Sequence, residues 1–359
     1  MRIGYLIDLH KGGYDQPIPT PDDAHKTMNA MVEEGKLAEK YGFHSIQVPD
    51  RHGRTECYFP GPFQLLTILA RETERVAIGT YTCVATLYNP MLAAEMFSVI
   101  DNLSKGRLYT TISRGYNKGY WEQFGISQEK LLGRFKEFIA VWEEAMKGER
   151  FDFNGLHYQV EQGLLTPQPY QKGGWPVWGG GNANDKAIRR SAEYGACWTC
   201  DPFPLKKDVW DAQRGKYAEY ARELGKEPFV VLMRDAWVAS DFQQATKEFL
   251  NYYVDELKFY HRAGIFVNHP DFQSEADITP ERVAPHLIAG SPQQCIEQLE
   301  RYHEEFGVDY FTVRFRQPEG PSMEAAREQI QRFGEEVVQH IHRKYASPDH
   351  PAMPEACRT

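Results

Sequence analysis

No apolar run in this 359-residue chain approaches the roughly 20 residues that a helix needs to cross a bilayer, so no membrane partner is expected. Positive charge is also scarce. Lys and Arg number 41 against 50 Asp and Glu, giving a formal net charge of -9, and no basic block stands out. A polyanion needs concentrated positive charge, which argues against nucleic acid as a partner. The opening Met1-Arg2-Ile3-Gly4-Tyr5-Leu6-Ile7-Asp8 is too quickly polar for a secretory signal. The six cysteines, at 57, 83, 197, 200, 295 and 357, are scattered, which suits reduced thiols in a cytoplasm. Cys197-x-x-Cys200 has neither a second pair nor histidines at ligand spacing, so no zinc site is expected. No Gly-x-Gly-x-x-Gly turn follows the first apolar segment, which counts against a dinucleotide-binding half.

What the chain does have is a globular composition, 42% hydrophobic and 25% charged, arranged as strands and helices in alternation. Strands are expected at Arg2–Ile7, Ser45–Val48, Val76–Val84, Leu108–Ser113, Val177–Gly179, Ala196–Thr199, Phe229–Val238 and Tyr310–Arg314. Helical spacing between them appears at His25–Tyr41, Phe63–Arg71, Pro90–Leu103, Glu129–Met146, Lys186–Tyr194, Leu205–Leu224, Phe242–Tyr260 and Pro292–Phe306, and Ser322–Ile341 follows the last strand. Asn154-Gly155 between aromatic residues signals an inserted hairpin. Eight strands in series, each followed by a helix, make an α/β chain of the (β/α)8 TIM-barrel type with insertions. The expected organisation is one domain over 1–345 with a lid or insertion at 259–289, then a flexible tail over 346–359.

In such barrels the chemistry gathers where strands end, and the exits here are polar and glycine-rich. Gly179-Gly180-Gly181-Asn182-Ala183 runs into a helix, so free backbone N–H groups and the absence of side chains make an anion site. Ser113-Arg114-Gly115 brings a permanently charged, planar guanidinium to the neighbouring exit, which turns the anion reading toward a phosphate. Arg134 begins a helix face; it reaches the same anion or forms a surface ion pair.

Several segments keep a familiar order: Leu37-Ala38-Glu39-Lys40-Tyr41-Gly42-Phe43, Val76-Ala77-Ile78-Gly79-Thr80, Asn89-Pro90, Leu103-Ser104-Lys105-Gly106-Arg107, Ser113-Arg114-Gly115-Tyr116, Phe124-Gly125, Pro167-Gln168-Pro169 and Pro176-Val177-Trp178-Gly179-Gly180-Gly181. Together they resemble the bacterial luciferase family of flavin-dependent monooxygenases over most of residues 1–314. The resemblance implies FMN in the barrel mouth, its phosphate held by Arg114, Arg134 and the backbone of Gly181, Asn182 and Ala183. It places Tyr81 and Thr82 at an often cis peptide under the flavin ring, Ser113 near the ring's reactive face, and Tyr116 along the ring or ribityl chain. It further implies reduced FMN from a separate flavin reductase, dioxygen, a small organic substrate and a homodimer.

The departure from the family is at the second strand exit, Asp50-Arg51-His52, where many members carry an acidic residue and two histidines and the first histidine of luciferase acts as a base. Arg51 stays protonated at ordinary pH and cannot replace that base, but it suits an anionic group. His52 then becomes the acid/base candidate, or else a structural histidine, with Asp50 orienting its neighbours. Other readings stay open: hydride transfer with a deazaflavin coenzyme, a metal-dependent hydrolase using Asp8, His10, Asp50 and His52, and a noncatalytic flavin-binding barrel. His10, His261, His269 and His286 are further titratable candidates, and Trp198, Phe203, Tyr252, Tyr253 and Tyr260 are candidate pocket walls.

Overall fold

The computed structural model describes residues 1–358 except 15, 182, 183, 201–203, 267 and 268. Eight parallel strands form a closed barrel: β1 (Arg2–Leu6), β2 (Ser45–Val48), β3 (Ala77–Thr80), β4 (Leu108–Ser113), β5 (Val177–Gly181), β6 (Trp198–Cys200), β7 (Val230–Val238) and β8 (Tyr310–Arg314). The ring closes where Arg2 of β1 stands opposite Tyr310 of β8. Most strand residues are buried on both faces, because helices cover the outside and side chains fill the inside. The covering helices are α1 (Pro21–Lys40), α2 (Pro62–Glu72), α3 (Pro90–Ser104), α4 (Leu131–Ala145), α5 (Asp185–Tyr194), α6 (Lys207–Glu223), α7 (Phe242–Arg262), α8 (Pro292–Glu304) and α9 (Met323–Phe333). Several start on the pattern their sequences promise. Thr20 caps α1 by accepting from the Asp23 N–H, Asn89 caps α3 by accepting from Met91 and Leu92, and each is followed by proline.

Three segments differ from the sequence reading. The strand expected over Val76–Val84 stops at Thr80; the Tyr81–Thr82 peptide is cis, and Cys83–Val84 pairs afresh with Ile112 and Ser113. The composition of the run carries no mark of this break, but the cis peptide falls at the two residues where the family resemblance places one. The segment expected as a lid or insertion over 259–289 is packed rather than loose where it is described. Phe272, Ile278 and Val283 enter the core, and Ile288–Gly290 extends the sheet beside the second half of β7.

The third correction concerns the flexible tail. Residues 350–357 close the floor of the barrel, with Ala352, Met353 and Cys357 against Tyr109, Trp178, Phe229 and Tyr310. Trp178 Nε1 donates to the Ala352 carbonyl at 2.6 Å, and His350 stacks on Phe229 at 4.5 Å. Three small apolar residues separated by prolines have no periodicity to announce that they will be buried.

The same end of the molecule holds two half-buried histidines, His44 and His342. His342 Nε2 accepts the Ile3 N–H at 3.1 Å, and His44 Nδ1 lies 3.2 Å from the Tyr310 hydroxyl. Burial, followed by the charge of Arg2, pushes His44 down to about 4 and His342 down to about 3 from 6.5. Between 6.5 and those values the unfolded chain holds the protons and the folded chain does not, so stability is full above 6.5 and falls as the medium is acidified. His342→Gln keeps an acceptor for the Ile3 N–H without titrating. We expect its melting temperature to fall less steeply than wild type between pH 6.5 and 4; identical slopes would remove His342 as a source of acid sensitivity.

Candidate functional site

The carboxyl ends of the strands surround a cleft of about 600 Å³. At one end of it, β5 runs through Gly179, Gly180 and Gly181 into α5. A Cβ on Gly179 would stand 2.7 Å from the Ser191 backbone, and one on Gly180 would stand 2.8 Å from Thr82 Cγ2. Only glycine lets α5 and the Tyr81–Thr82 turn approach this strand so closely. Asn184 caps α5 by accepting the Ala187 N–H at 3.1 Å. On the inward face of that helix, Ala187, Arg190, Ser191 and Tyr194 reach the cleft wall, at the spacing of successive turns.

Arg114 leaves the end of β4 and meets the same space. Burial first, and then the charge of Arg114, lowers the pKa of Arg190, which places the two guanidinium groups in mutual range. Two cations without an ion pair among the described residues, beside a glycine strand that leads into a helix, can hold a dianion such as a phosphate monoester. Gly181 is on this wall, while Asn182 and Ala183 lie outside the described residues.

Arg134 is the sequence candidate that the structure moves. Its Nε donates to the Thr86 carbonyl at 2.8 Å and its guanidinium lies over the Tyr158 ring, 4.7 Å from the centroid, off the cleft wall. Leu131 and Phe135, four apart, face the cleft instead and turn Arg134 to their flank. Thr86 in turn donates to the Arg114 carbonyl at 2.9 Å and accepts from Trp121 Nε1 at 3.0 Å. Arg134 thus steadies the turn that carries Arg114. Arg190, which takes the place foreseen for it, was legible only as one position of the helical face that follows the glycine strand.

Towards the barrel axis the wall is formed by Tyr81, Thr82, Ile112, Ser113 and Tyr116. The Thr82 and Ser113 hydroxyls share a hydrogen bond of 2.8 Å, and Ser113 Oγ also accepts from the Gly115 N–H at 3.3 Å. Gly115 has φ +87°, and a Cβ there would stand 2.6 Å from Val84 Cγ1, so the chain turns sharply enough to set Arg114 and Tyr116 on one wall. Tyr260 of α7 and Ala263, Gly264 and Ile265 after it close the far side, the only part of the 259–289 insertion found on this wall among the described residues.

At the exit of β2 the three candidates separate. Arg51 lines the cleft, whereas Asp50 and His52 lie behind its wall. Asp50 is fully buried; Oδ2 accepts the Val84 N–H at 2.9 Å, and Oδ1 accepts the Tyr88 hydroxyl at 2.9 Å and lies 2.7 Å from His52 Nε2. The His52 ring packs edge-on against Tyr120 and Phe124. The histidine expected to serve as acid/base is thus turned inward to a buried carboxylate, and the residue facing the cleft is the arginine.

His10 is likewise inward: Nδ1 is 2.6 Å from Asp8 Oδ1, and burial pushes its pKa down to about 4 despite that partner. Among the described residues no group of three or more metal-binding side chains assembles, so Asp8, His10, Asp50 and His52 do not form the ligand set of a hydrolase. His261, His269 and His286 are off the cleft wall; His269 stacks on Phe272 at 4.7 Å. Trp198 stacks on Trp210 at 5.3 Å and Tyr253 is core, while Tyr252 lines a separate hollow beside Gly320. Phe203 lies outside the described residues.

A family model described as luciferase-like monooxygenase matches residues 1–309. The chain is 27% identical over 323 residues to the oxygenase component of a flavin-dependent trigonelline monooxygenase from Acinetobacter baylyi, covering 86% of this chain and 88% of that protein. It is 28% identical over 194 residues to an F420-dependent glucose-6-phosphate dehydrogenase from Mycobacterium avium, covering 50% of this chain and 55% of that one. Its fold matches the oxygenating constituent of 3,6-diketocamphane monooxygenase from Pseudomonas putida, solved in complex with FMN. The TM-score is 0.75 at 16% identity, covering 94% of this chain and 98% of that structure.

Proposed function

Since the chain belongs to the luciferase-like monooxygenase family, we propose that it is the oxygenase of a two-component system. It takes reduced FMN from a separate reductase and uses dioxygen to oxygenate a small organic substrate. The observation that carries this reading is the pair Arg114 and Arg190, two cations with no ion pair among the described residues, which face one cleft wall from the end of β4 and from α5. When bound, reduced FMN supplies the electrons that activate dioxygen, chemistry that amino-acid side chains lack.

The chain's own residues do the rest. Arg114, Arg190 and the Gly181 backbone hold the phosphate, and Thr86 and Arg134 keep the Arg114 turn in place. Thr82 and Ser113 hold a proton between their hydroxyls at the wall where the ring system fits. Leu131, Phe135 and Ile265 supply apolar surface that keeps water from the reacting space.

The relative that uses F420 makes the deazaflavin coenzyme the competing ligand. Anaerobic titration of the full chain with reduced FMN, reduced riboflavin and reduced F420 decides between them. FMN is expected to bind about tenfold or more tighter than either competitor, a difference of about 1.4 kcal/mol. Tighter binding of F420 would assign hydride transfer instead, and no binding of any of the three would end the flavin reading.

A further inference from the structure

Arg51 presents a guanidinium whose hydrogen-bonding capacity the described residues leave largely unused. Its Nε is buried without a hydrogen-bond partner, and its Nη2 has only a long contact, 3.4 Å, to the Tyr260 hydroxyl. Among the described residues it makes no ion pair, and most carboxylate oxygens around it serve other groups, although Glu256 Oε1 is buried without a hydrogen bond and its charge acts on Arg51 from a distance. Asp50 serves Val84, Tyr88 and His52. Glu56 holds Arg54 at 2.6 Å, and Asp235 holds Arg314 through two bonds of 2.8 and 3.1 Å. Glu256 accepts from the Tyr14 hydroxyl at 2.5 Å and stands 3.7 Å from Arg314. Around Arg51 the Tyr116 and Tyr120 hydroxyls are buried and also lack partners. The Tyr116 ring stands 6.5 Å from Tyr120 and 6.5 Å from Tyr260.

A half-buried guanidinium without an ion pair is costly, and phenol hydroxyls left unbonded add to that cost. A ligand that repairs both must be anionic, flat at its charged end and able to accept several hydrogen bonds. We propose that the substrate of this enzyme carries a carboxylate, which enters the cleft to pair with the Arg51 fork and accept from Tyr116 beside it. This rests on the reading of the cleft as the site of oxygenation. It adds a second anion position, at the exit of β2, distinct from the phosphate position between Arg114 and Arg190. The two positions sort the ends of the cleft: cofactor phosphate at α5, substrate carboxylate at β2, and the ring system between them.

Calorimetric titration of the full chain, with and without FMN, tests this with acetate, benzoate and phenylacetate, each against its primary amide. At least one carboxylate is expected to bind about tenfold or more tighter than its amide, also with FMN bound. Arg51→Gln is expected to bring that pair within about twofold while FMN affinity changes less than about twofold. Arg51→Lys, which keeps the charge and loses the fork, is expected to retain part of the preference and decides the matter if Arg51→Gln does not fold. No carboxylate preference in any pair would overturn the proposal, as would a preference that survives both Arg51 variants. A preference lost in Arg114→Ala but kept in Arg51→Gln would move the carboxylate to the phosphate position, with the same consequence. If the carboxylate preference holds while FMN fails to bind, the cofactor reading falls and the anion site at Arg51 stands.

Discussion

Replacing Arg114 with Ala is expected to weaken reduced FMN binding by roughly 10- to 100-fold and to leave riboflavin almost untouched. Hydrogen bonds to a charged group contribute about 1.5–3 kcal/mol, and the phosphate is the only part of the cofactor that would lose one. The side chain is exposed and has no ion pair among the described residues, so its removal takes no contact from the folded chain itself. Truncation also relieves the repulsion from Arg190 that accompanies its lowered pKa. The apoprotein should therefore melt no lower than wild type, while the rise in melting temperature on adding FMN shrinks with the affinity. Equal losses for FMN and riboflavin, or a destabilised apoprotein, would show that Arg114 does not read the phosphate.

The second large effect is structural. Asp50→Leu leaves the buried Val84 N–H, the Tyr88 hydroxyl and His52 Nε2 facing a hydrocarbon. Removing one partner of a buried polar cluster costs about 3–5 kcal/mol, more than swapping the entire cluster for apolar residues. Asp50→Asn keeps an acceptor for Val84 but turns a donor toward either Tyr88 or His52, at a cost of about 1–2 kcal/mol. Denaturant midpoints should rank wild type above Asn and Asn above Leu. Because the same carboxylate anchors the chain just past Tyr81 and Thr82, the Leu variant should also lose FMN affinity. A Leu variant as stable as wild type would mean that the cluster supplies nothing to the fold.

Much of the barrel was legible because its signals are local: β-branched runs, helix caps and glycines at turns. The proposed phosphate position rests on signals just as local, since Arg114 and the triple glycine stand out within a few residues of their strand ends. What escaped was set by packing between distant segments. Leu131 and Phe135 decide which way Arg134 turns, and Asp50 with Tyr88 draws His52 inward. Arg190 carries no motif of its own. Only its place on the face shared by Ala187, Ser191 and Tyr194 marks it, and that face is known once β5 is seen to end at the cleft.

The floor sealed by residues 350–357 bears on how the chain matures. β1 finds its neighbour β8 only after residue 314 has been made, and Tyr109, Trp178 and Tyr310 lose their last open side when Ala352 and Met353 settle beneath them. On a translating ribosome the nascent polypeptide therefore presents an unfinished cylinder with uncovered aromatic rings until residues 350–357 emerge. Between the synthesis of β8 and the arrival of that segment, the rings at the barrel floor stay open to contact with other chains.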